Sequence, residues 1–244
     1  METRVKKGKK LRLNYKKLFR FLVFLTIIIG IIYYLLNLNI RFIEINGTNY
    51  LTDNEIITKA NIKDYPKIFS FNSLSIASKL KELSLVDDVK IQKNLWGKLT
   101  INITEAKVLF YNKSSNKIVL SNAKEINNDT RYLGIPTLLN YVPDDIYKDL
   151  ITGLAKIDNN VIRMVSEIEY SPSKSVNGDV IDNTRFLLRM NDGNTVYMNT
   201  INITQLNKYI EICSAILATQ GKKSGTLYLD SSTEENYSFE SYTN

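Results

Sequence analysis

The chain has 244 residues, 44% of them apolar and 23% charged, an ordinary globular balance that excludes wholesale disorder and a multi-span membrane protein. Histidine is absent, which removes Ser/His/Asp and Cys/His nucleophiles and every His-based metal site. Cys213 is the single cysteine, so neither an intrachain disulfide nor a Cys cluster can form, and the glycines never fall in GxGxxG or GxxxxGK spacing. No cofactor and no metal are expected.

The net charge of +7 is concentrated at one end: residues 1–20 carry nine bases against the single acid Glu2, and the rest of the chain is close to neutral. The uncharged run 21–40, FLVFLTIIIGIIYYLLNLNI, follows directly. As a helix it spans about 30 Å, the thickness of a hydrocarbon core, with Tyr33 and Tyr34 near its far end. No small-x-small cleavage site closes the run, so it reads as a single-pass anchor and not a removed signal peptide. Its flanking bases keep residues 1–20 in the cytoplasm and export the rest. The basic tail either sets topology alone or also binds anionic lipid or cytoplasmic proteins, and no nucleic-acid partner is expected.

The exported part begins strand–helix–helix–strand–strand. Residues 41–46 alternate polar and apolar up to Gly47, and Thr52-Asp53-Asn54-Glu55 is a capping box for a helix through Ala60. A second helix entered near Ser73 places Leu74, Ile76, Ala77, Leu80 and Leu83 at helical spacing. Val86, Val89 and Ile91 lie in the next strand and Leu99, Ile101 and Ile103 in the third, with Leu95-Trp96-Gly97 as the turn between them. Two helices over three strands make a compact α+β module.

Further along, 107–126 reads as a hairpin turning at Lys113 to Asn116, and 131–141 as a loop or short strand. Pro143 opens a helix to about Asp158, Val161 to Tyr170 is a strand, and Ser173 to Asn183 is a polar loop. Arg185 to Asn191 and Asn194 to Asn199 form a hairpin about Asp192-Gly193. Leu206, Tyr209, Ile210, Cys213, Ile216 and Leu217 stripe a helix that stops near Gly221, and Gly225 to Asp230 is a last strand. The segment 231–244 is acidic and carries Tyr237, Phe239 and Tyr242; it is either a solvated end or a docking segment.

This order of features resembles the FtsQ/DivIB bacterial cell-division family. The matches are the strand ending at Gly47, Trp96 in the turn before the third strand, and Glu105 closing that strand. The Asp192-Gly193 hairpin, the helix after it and Gly225-Thr226-Leu227-Tyr228-Leu229-Asp230 complete them. Gly97 and Val108 stand where the family commonly has proline, and the long cytoplasmic extension of some members is lacking. The resemblance implies a POTRA (polypeptide-transport-associated) module, β-α-α-β-β, over 41–107. A mixed α/β "β domain" over 108–230 and the acidic aromatic tail 231–244 follow it, all on the single N-terminal transmembrane helix.

The function implied is a non-enzymatic scaffold of the division machinery at the septum. It would bind single-pass partners of the FtsL and FtsB/DivIC types and help control septal peptidoglycan synthesis, with no small-molecule substrate. A last strand at a sheet edge can accept a partner's strand. Thr226, Tyr228 and Asp230 share one of its faces and Leu227 and Leu229 the other. The leucines are expected to pack inward while Tyr228, Tyr237 and Phe239 meet the partner, Tyr228 being otherwise a plain surface residue of the strand.

Two other functions compete with this one. Ser78-Lys79-Leu80-Lys81, Ser114-Ser115-Asn116 and Lys223-Ser224-Gly225 follow the order of penicillin-binding motifs, but Ser-x-x-Lys recurs at Ser114, Ser121 and Ser171, as composition alone would produce. The remaining alternative is a membrane-anchored interaction module of another envelope complex.

Overall fold

A computed structural model describes residues 14–221, 224–230 and 237–242. The bases before Asn14, Lys223 of the Lys-Ser-Gly triplet and residues 231–236 of the tail lie outside the described residues. Helix α1 spans Tyr15–Leu36, and the Asn14 side chain caps it by accepting from the Lys17 amide at 3.3 Å. The uncharged run and the helix are therefore out of register. The helix starts among Lys16, Lys17 and Arg20 and ends before Asn37, whose amide group donates to the Tyr33 carbonyl. Leu38 and Ile40 lie in the uncharged run but are buried core residues of the folded module. Hydropathy cannot separate a lipid-facing leucine from a core one.

The chain divides into two compact units, Met1–Asn46 with Asp53–Leu80 and Lys90–Asn102, and Gly47–Thr52 with Lys81–Val89 and Ile103–Asn244. After α1 come β1 (Phe42–Asn46), α2 (Asp53–Ala60), α3 (Ser73–Lys81), β2 (Val86–Lys93) and β3 (Lys98–Glu105), the strand–helix–helix–strand–strand order of the sequence. The sheet order is β1-β3-β2, with β1 parallel to β3 from Phe42↔Lys98 to Asn46↔Asn102. Alternation along β3 buries Leu99, Ile101 and Ile103, and Ile56 and Ala60 of α2 and Ile76 and Leu80 of α3 are buried as the helical spacing requires. Leu74, the second residue of α3, faces solvent, Ala77 is half-buried, and Leu83 lies past the end of the helix.

The remaining elements are β4 (Val108–Asn112), β5 (Lys117–Leu120), β6 (Glu125–Asn127), β7 (Thr137–Leu138), α4 (Asp144–Leu154), α5 (Asn159–Ile162), β8 (Val165–Tyr170), β9 (Ser173–Lys174), β10 (Val180–Asp182), β11 (Arg185–Met190), β12 (Thr195–Asn199), a 3-10 turn (Ile203–Lys208), α6 (Tyr209–Gln220), β13 (Gly225–Tyr228) and β14 (Ser238–Ser241). Nine of these strands form one sheet in the order β14-β13-β12-β11-β8-β7-β4-β5-β6. Its inner face packs Phe110, Ile168, Phe186, Leu188, Val196 and Leu227 into one core with residues of α4 and α6.

Several boundaries differ from those the sequence implies. Val161 and Ile162 belong to the short α5, because the chain takes one helical turn after Asp158 before entering β8. Pro143 caps α4 from outside its first turn. The loop 173–183 closes on itself as the two-stranded pair β9–β10. On α6 the buried stripe is Tyr209, Ile212 and Ile216, whereas Ile210 and Leu217 are exposed. Ile212 sits one 3.6-residue turn from both Tyr209 and Ile216, so the core-facing line is narrower than the apolar residues of the helix. Gly221 ends α6 in the left-handed conformation, φ +64°.

Candidate partner-binding edge

Strand β13 is held on both sides. It runs parallel to β12, with Thr195↔Thr226, Val196↔Leu227 and Tyr197↔Tyr228 in register, and antiparallel to β14 from Gly225↔Ser241 to Tyr228↔Ser238. The last strand expected from the sequence is thus the penultimate strand of the sheet, and its edge is taken by residues expected to be tail. This corrects the tail reading: Ser238 to Ser241 pairs with β13 along its whole length, with Phe239 flanked by polar residues.

Alternation then sorts the side chains. Leu227 and Leu229 are fully buried, and Phe239 joins them by packing against the same core. Phe239 therefore does not share a face with Tyr228, because it is opposite Leu227 in the register. Gly225 makes room for it: a β carbon there would stand 2.5 Å from Phe239 Cζ. Thr226, Tyr228 and Asp230 are half-buried on the opposite face, and Tyr237 is exposed. Asp230 lies two residues past the end of β13.

That open face carries a ladder across the strands. The Arg185 guanidinium lies 3.8 Å above the Tyr197 ring, and Tyr197 stacks on Tyr228 with centroids 5.3 Å apart and planes 14° from parallel. Arg185 Nε is also 2.9 Å from Asp230 Oδ2, an ionic contact without an aligned hydrogen bond. At the other end the Tyr228 hydroxyl donates to Glu240 Oε2 at 3.1 Å, and the Tyr242 hydroxyl donates to Thr195 Oγ1 at 2.7 Å. Burial, then the Glu240 carboxylate, push the Tyr228 hydroxyl above the ordinary tyrosine range, so it is a neutral donor at physiological pH.

A buried polar network fixes β13 from beneath. Asn194, two residues past Asp192, receives the Gly225 amide on Oδ1 at 2.8 Å and donates through Nδ2 to the Tyr209 hydroxyl at 2.9 Å. The Tyr209 hydroxyl donates in turn to Asp192 Oδ2 at 2.7 Å. One hairpin turn, one helix and one strand are locked by side chains whose mutual bonding no local sequence pattern shows. The signal available was an Asp-Gly turn followed by an asparagine just ahead of a strand.

The free edge of β14 follows from its pairing. The Tyr242 amide donates to the Ser224 carbonyl at 3.2 Å, so Glu240 and Ser238, at even spacing, also face β13. The N–H and C=O groups of Phe239 and Ser241 point outward. The described part of this edge carries no lysine, proline or register shift, the usual guards against strand pairing. The opposite edge strand, β6, has only three residues and is preceded by Lys124. As for the enzyme motifs, Ser78 is exposed on α3, Lys81 pairs with Asp88 at 2.8 Å, and no group of three or more His, Cys, Asp or Glu suited to a metal occurs among the described residues.

A family model of the FtsQ-type POTRA domain matches residues 38–106. The chain is 26% identical over 201 residues to the cell division protein DivIB of Staphylococcus pseudintermedius, covering 78% of this chain and 65% of that one. It is 28% identical over 208 residues to DivIB of Erysipelothrix rhusiopathiae, covering 81% and 74%. For DivIB of Listeria monocytogenes the figures are 28% over 210 residues, 80% and 74%. Among solved structures, the major extracytoplasmic domain of DivIB from Geobacillus stearothermophilus aligns at 22% identity with a TM-score of 0.34, over 48% of this chain and 96% of that chain.

Proposed function

We propose that this chain, a division-related membrane protein with an FtsQ-type POTRA domain and DivIB relatives over most of its length, is a non-enzymatic scaffold. Its exported part would bind the ectodomains of single-pass division proteins of the FtsL and FtsB/DivIC types at the septum and so help govern septal peptidoglycan synthesis. In this reading α1 spans the bilayer with the basic residues 1–20 in the cytoplasm. Residues 41–107, with Leu38 and Ile40 joined to their core, act as the POTRA domain, and 108–230, with β14 added to their sheet, act as the β domain.

The observation that carries the proposal is the unguarded edge of β14. A partner segment in extended conformation gains main-chain hydrogen bonds from the outward groups of Phe239 and Ser241, and alternate side chains read the open face. Thr226, Tyr228, Asp230 and Tyr237 remain the candidate contacts. Phe239 contributes through its backbone and by holding β14 on the sheet.

Two experiments test it. Depleting the protein in its source bacterium should produce filaments without septa, and an N-terminal fluorescent fusion should gather at division sites; normal division with an evenly spread fusion would overturn the division role. For the edge, full-length chain carrying Ser241→Pro loses an outward amide while the pairing groups of Glu240 and Tyr242 stay in place. It should capture the FtsB/DivIC-type partner markedly less well than wild type, and equal capture would show that binding occurs elsewhere.

A further inference from the structure

The end of the first unit from which α1 emerges carries exposed aromatic and basic side chains on two loops, both tied to the chain just past the helix. Residues 38–41 run between these loops. On one side Asn39 bridges Lys67, Ile40 donates to the Pro66 carbonyl at 3.1 Å, and Ile68 donates to the Leu38 carbonyl at 2.7 Å. On the other, Arg41 donates to the Gly97 carbonyl at 2.7 Å. Gly97 has φ +82°, and a β carbon there would stand 2.8 Å from the Asn39 oxygen, so the turn sits against this segment with no room for a side chain. Lys67 Nζ also reaches back to Asn37 Oδ1, at 2.8 Å, the residue that ends the helix.

What these loops display is unusual for a water-facing surface. Trp96 is 82% exposed and Leu95 58%, on the turn beside Gly97. Tyr65 and Phe69 are exposed on the other loop, and Tyr65 holds φ +48° directly before Pro66, where a bulky residue is strained. Arg41, on the segment between the loops, and Lys67, on the first loop, are exposed beside these rings. Aromatic rings beside bases at the end of a membrane helix are the composition of a bilayer interface.

The length of α1 brings the bilayer to this surface. Its uncharged part, Phe21 to Leu36, is 16 residues, about 24 Å at ~1.5 Å per residue, against a hydrocarbon core of about 30 Å. A helix shorter than the core draws the bilayer and the flanking residues together. From Leu36 to Asn39 the chain extends at most about 11 Å, little more than the headgroup layer of about 5–8 Å on each side of the core.

We propose that the loops 65–69 and 95–97 are an interfacial anchor, seated in the headgroup layer of the leaflet into which α1 emerges. Trp96 and Leu95 reach the acyl boundary, and Arg41 and Lys67 lie at the level of the lipid phosphates. The first unit is then held on the bilayer by its base as well as by its tether. The inference rests on α1 spanning the membrane and is independent of which partners bind elsewhere.

Trp96 is the only tryptophan in the chain, so the unmodified protein reports on itself. Full-length chain is reconstituted in nanodiscs of phosphatidylcholine, alone or mixed with phosphatidylglycerol. Its fluorescence is quenched either by aqueous iodide or by phosphatidylcholine brominated at shallow or deep acyl positions. The expected result is blue-shifted emission, strong quenching by the shallow bromines and weak quenching by iodide. Emission at the position of indole in water, quenched by iodide and untouched by brominated lipid, would overturn the proposal. So would blue-shifted emission that neither quencher reaches, because the cover would then be protein. The double variant Arg41→Glu, Lys67→Glu should lose lipid quenching in the phosphatidylglycerol discs, and unchanged quenching there would overturn the role given to those two bases.

Discussion

The ring of Phe239 occupies the space that a side chain at Gly225 would need: a β carbon there would stand 2.5 Å from Phe239 Cζ and 2.3 Å from the Glu240 carbonyl oxygen. Glycine at the start of β13 is thus a packing requirement set by the strand beside it. Gly225→Ala is expected to force the ring or the strand outward, at about 1–3 kcal/mol for an overpacked site. Hydrogen exchange of the Tyr242 amide, which donates to Ser224, should quicken in the variant along with a lower urea midpoint. Unchanged exchange would show that β14 does not depend on this contact.

The buried hydroxyl of Tyr209 is satisfied twice, donating to Asp192 and accepting from Asn194. Tyr209→Phe strips both partners and should cost about 1–3 kcal/mol. Burial, then the bond to Asp192, drive the hydroxyl far above the ordinary tyrosine range. A folded-state pKa raised in this way means that the unfolded chain loses its proton first. Its contribution is full below about pH 10 and declines as the pH rises beyond it. Urea midpoints from neutral pH to about pH 11 should fall less steeply for Tyr209→Phe than for wild type.

The contrast between Leu227 and Phe239 shows what the sequence made legible. Alternation in Gly225 to Asp230 was enough to turn Leu227 and Leu229 inward, because a strand between strands repeats every two residues. Phe239 lies in a short polar stretch of three acids and no bases, where composition speaks for a solvated end and only pairing with β13 gives it a partner. The same limit explains Leu38 and Ile40, apolar by sequence and assigned to lipid, yet buried in the module by bonds to residues 66–68. Local pattern identified most elements, from the Asp192-Gly193 turn to the helices at Asp53 and Ser73. Which strand forms the edge is a long-range fact, as is the Arg185–Tyr197–Tyr228 ladder, and neither leaves a mark in any one window.

Glu105 closes β3 and receives three consecutive backbone amides, Asn49 at 2.9 Å, Tyr50 at 3.0 Å and Leu51 at 2.9 Å. Asn49, Tyr50 and Leu51 precede α2 in the chain. Glu105→Ala should lower stability by about 1–3 kcal/mol, while Glu105→Gln, which keeps one acceptor oxygen, should lose less. Thermal melting of the full chain in nanodiscs separates the two. Equal losses would assign the effect to charge and not to the amide bonds.

Arg185 and Asp230 are each 19% exposed and 2.9 Å apart, and the guanidinium plane also rests on Tyr197. Lysine can supply the charge but not the plane, so Arg185→Lys is not conservative here. A double-mutant cycle of Arg185→Lys with Tyr197→Leu should return a coupling of about 0.5–2 kcal/mol that survives added salt, as stacking does. The cycle of Arg185→Met with Asp230→Asn should return a coupling that shrinks with salt, since the pair is only partly screened from water. If the ladder orders the face that a partner reads, Arg185→Lys should also slow capture of the proposed FtsB/DivIC-type partner without lowering the thermal midpoint to the same degree. Parallel loss of both would make Arg185 a stabilising residue of the sheet and nothing more.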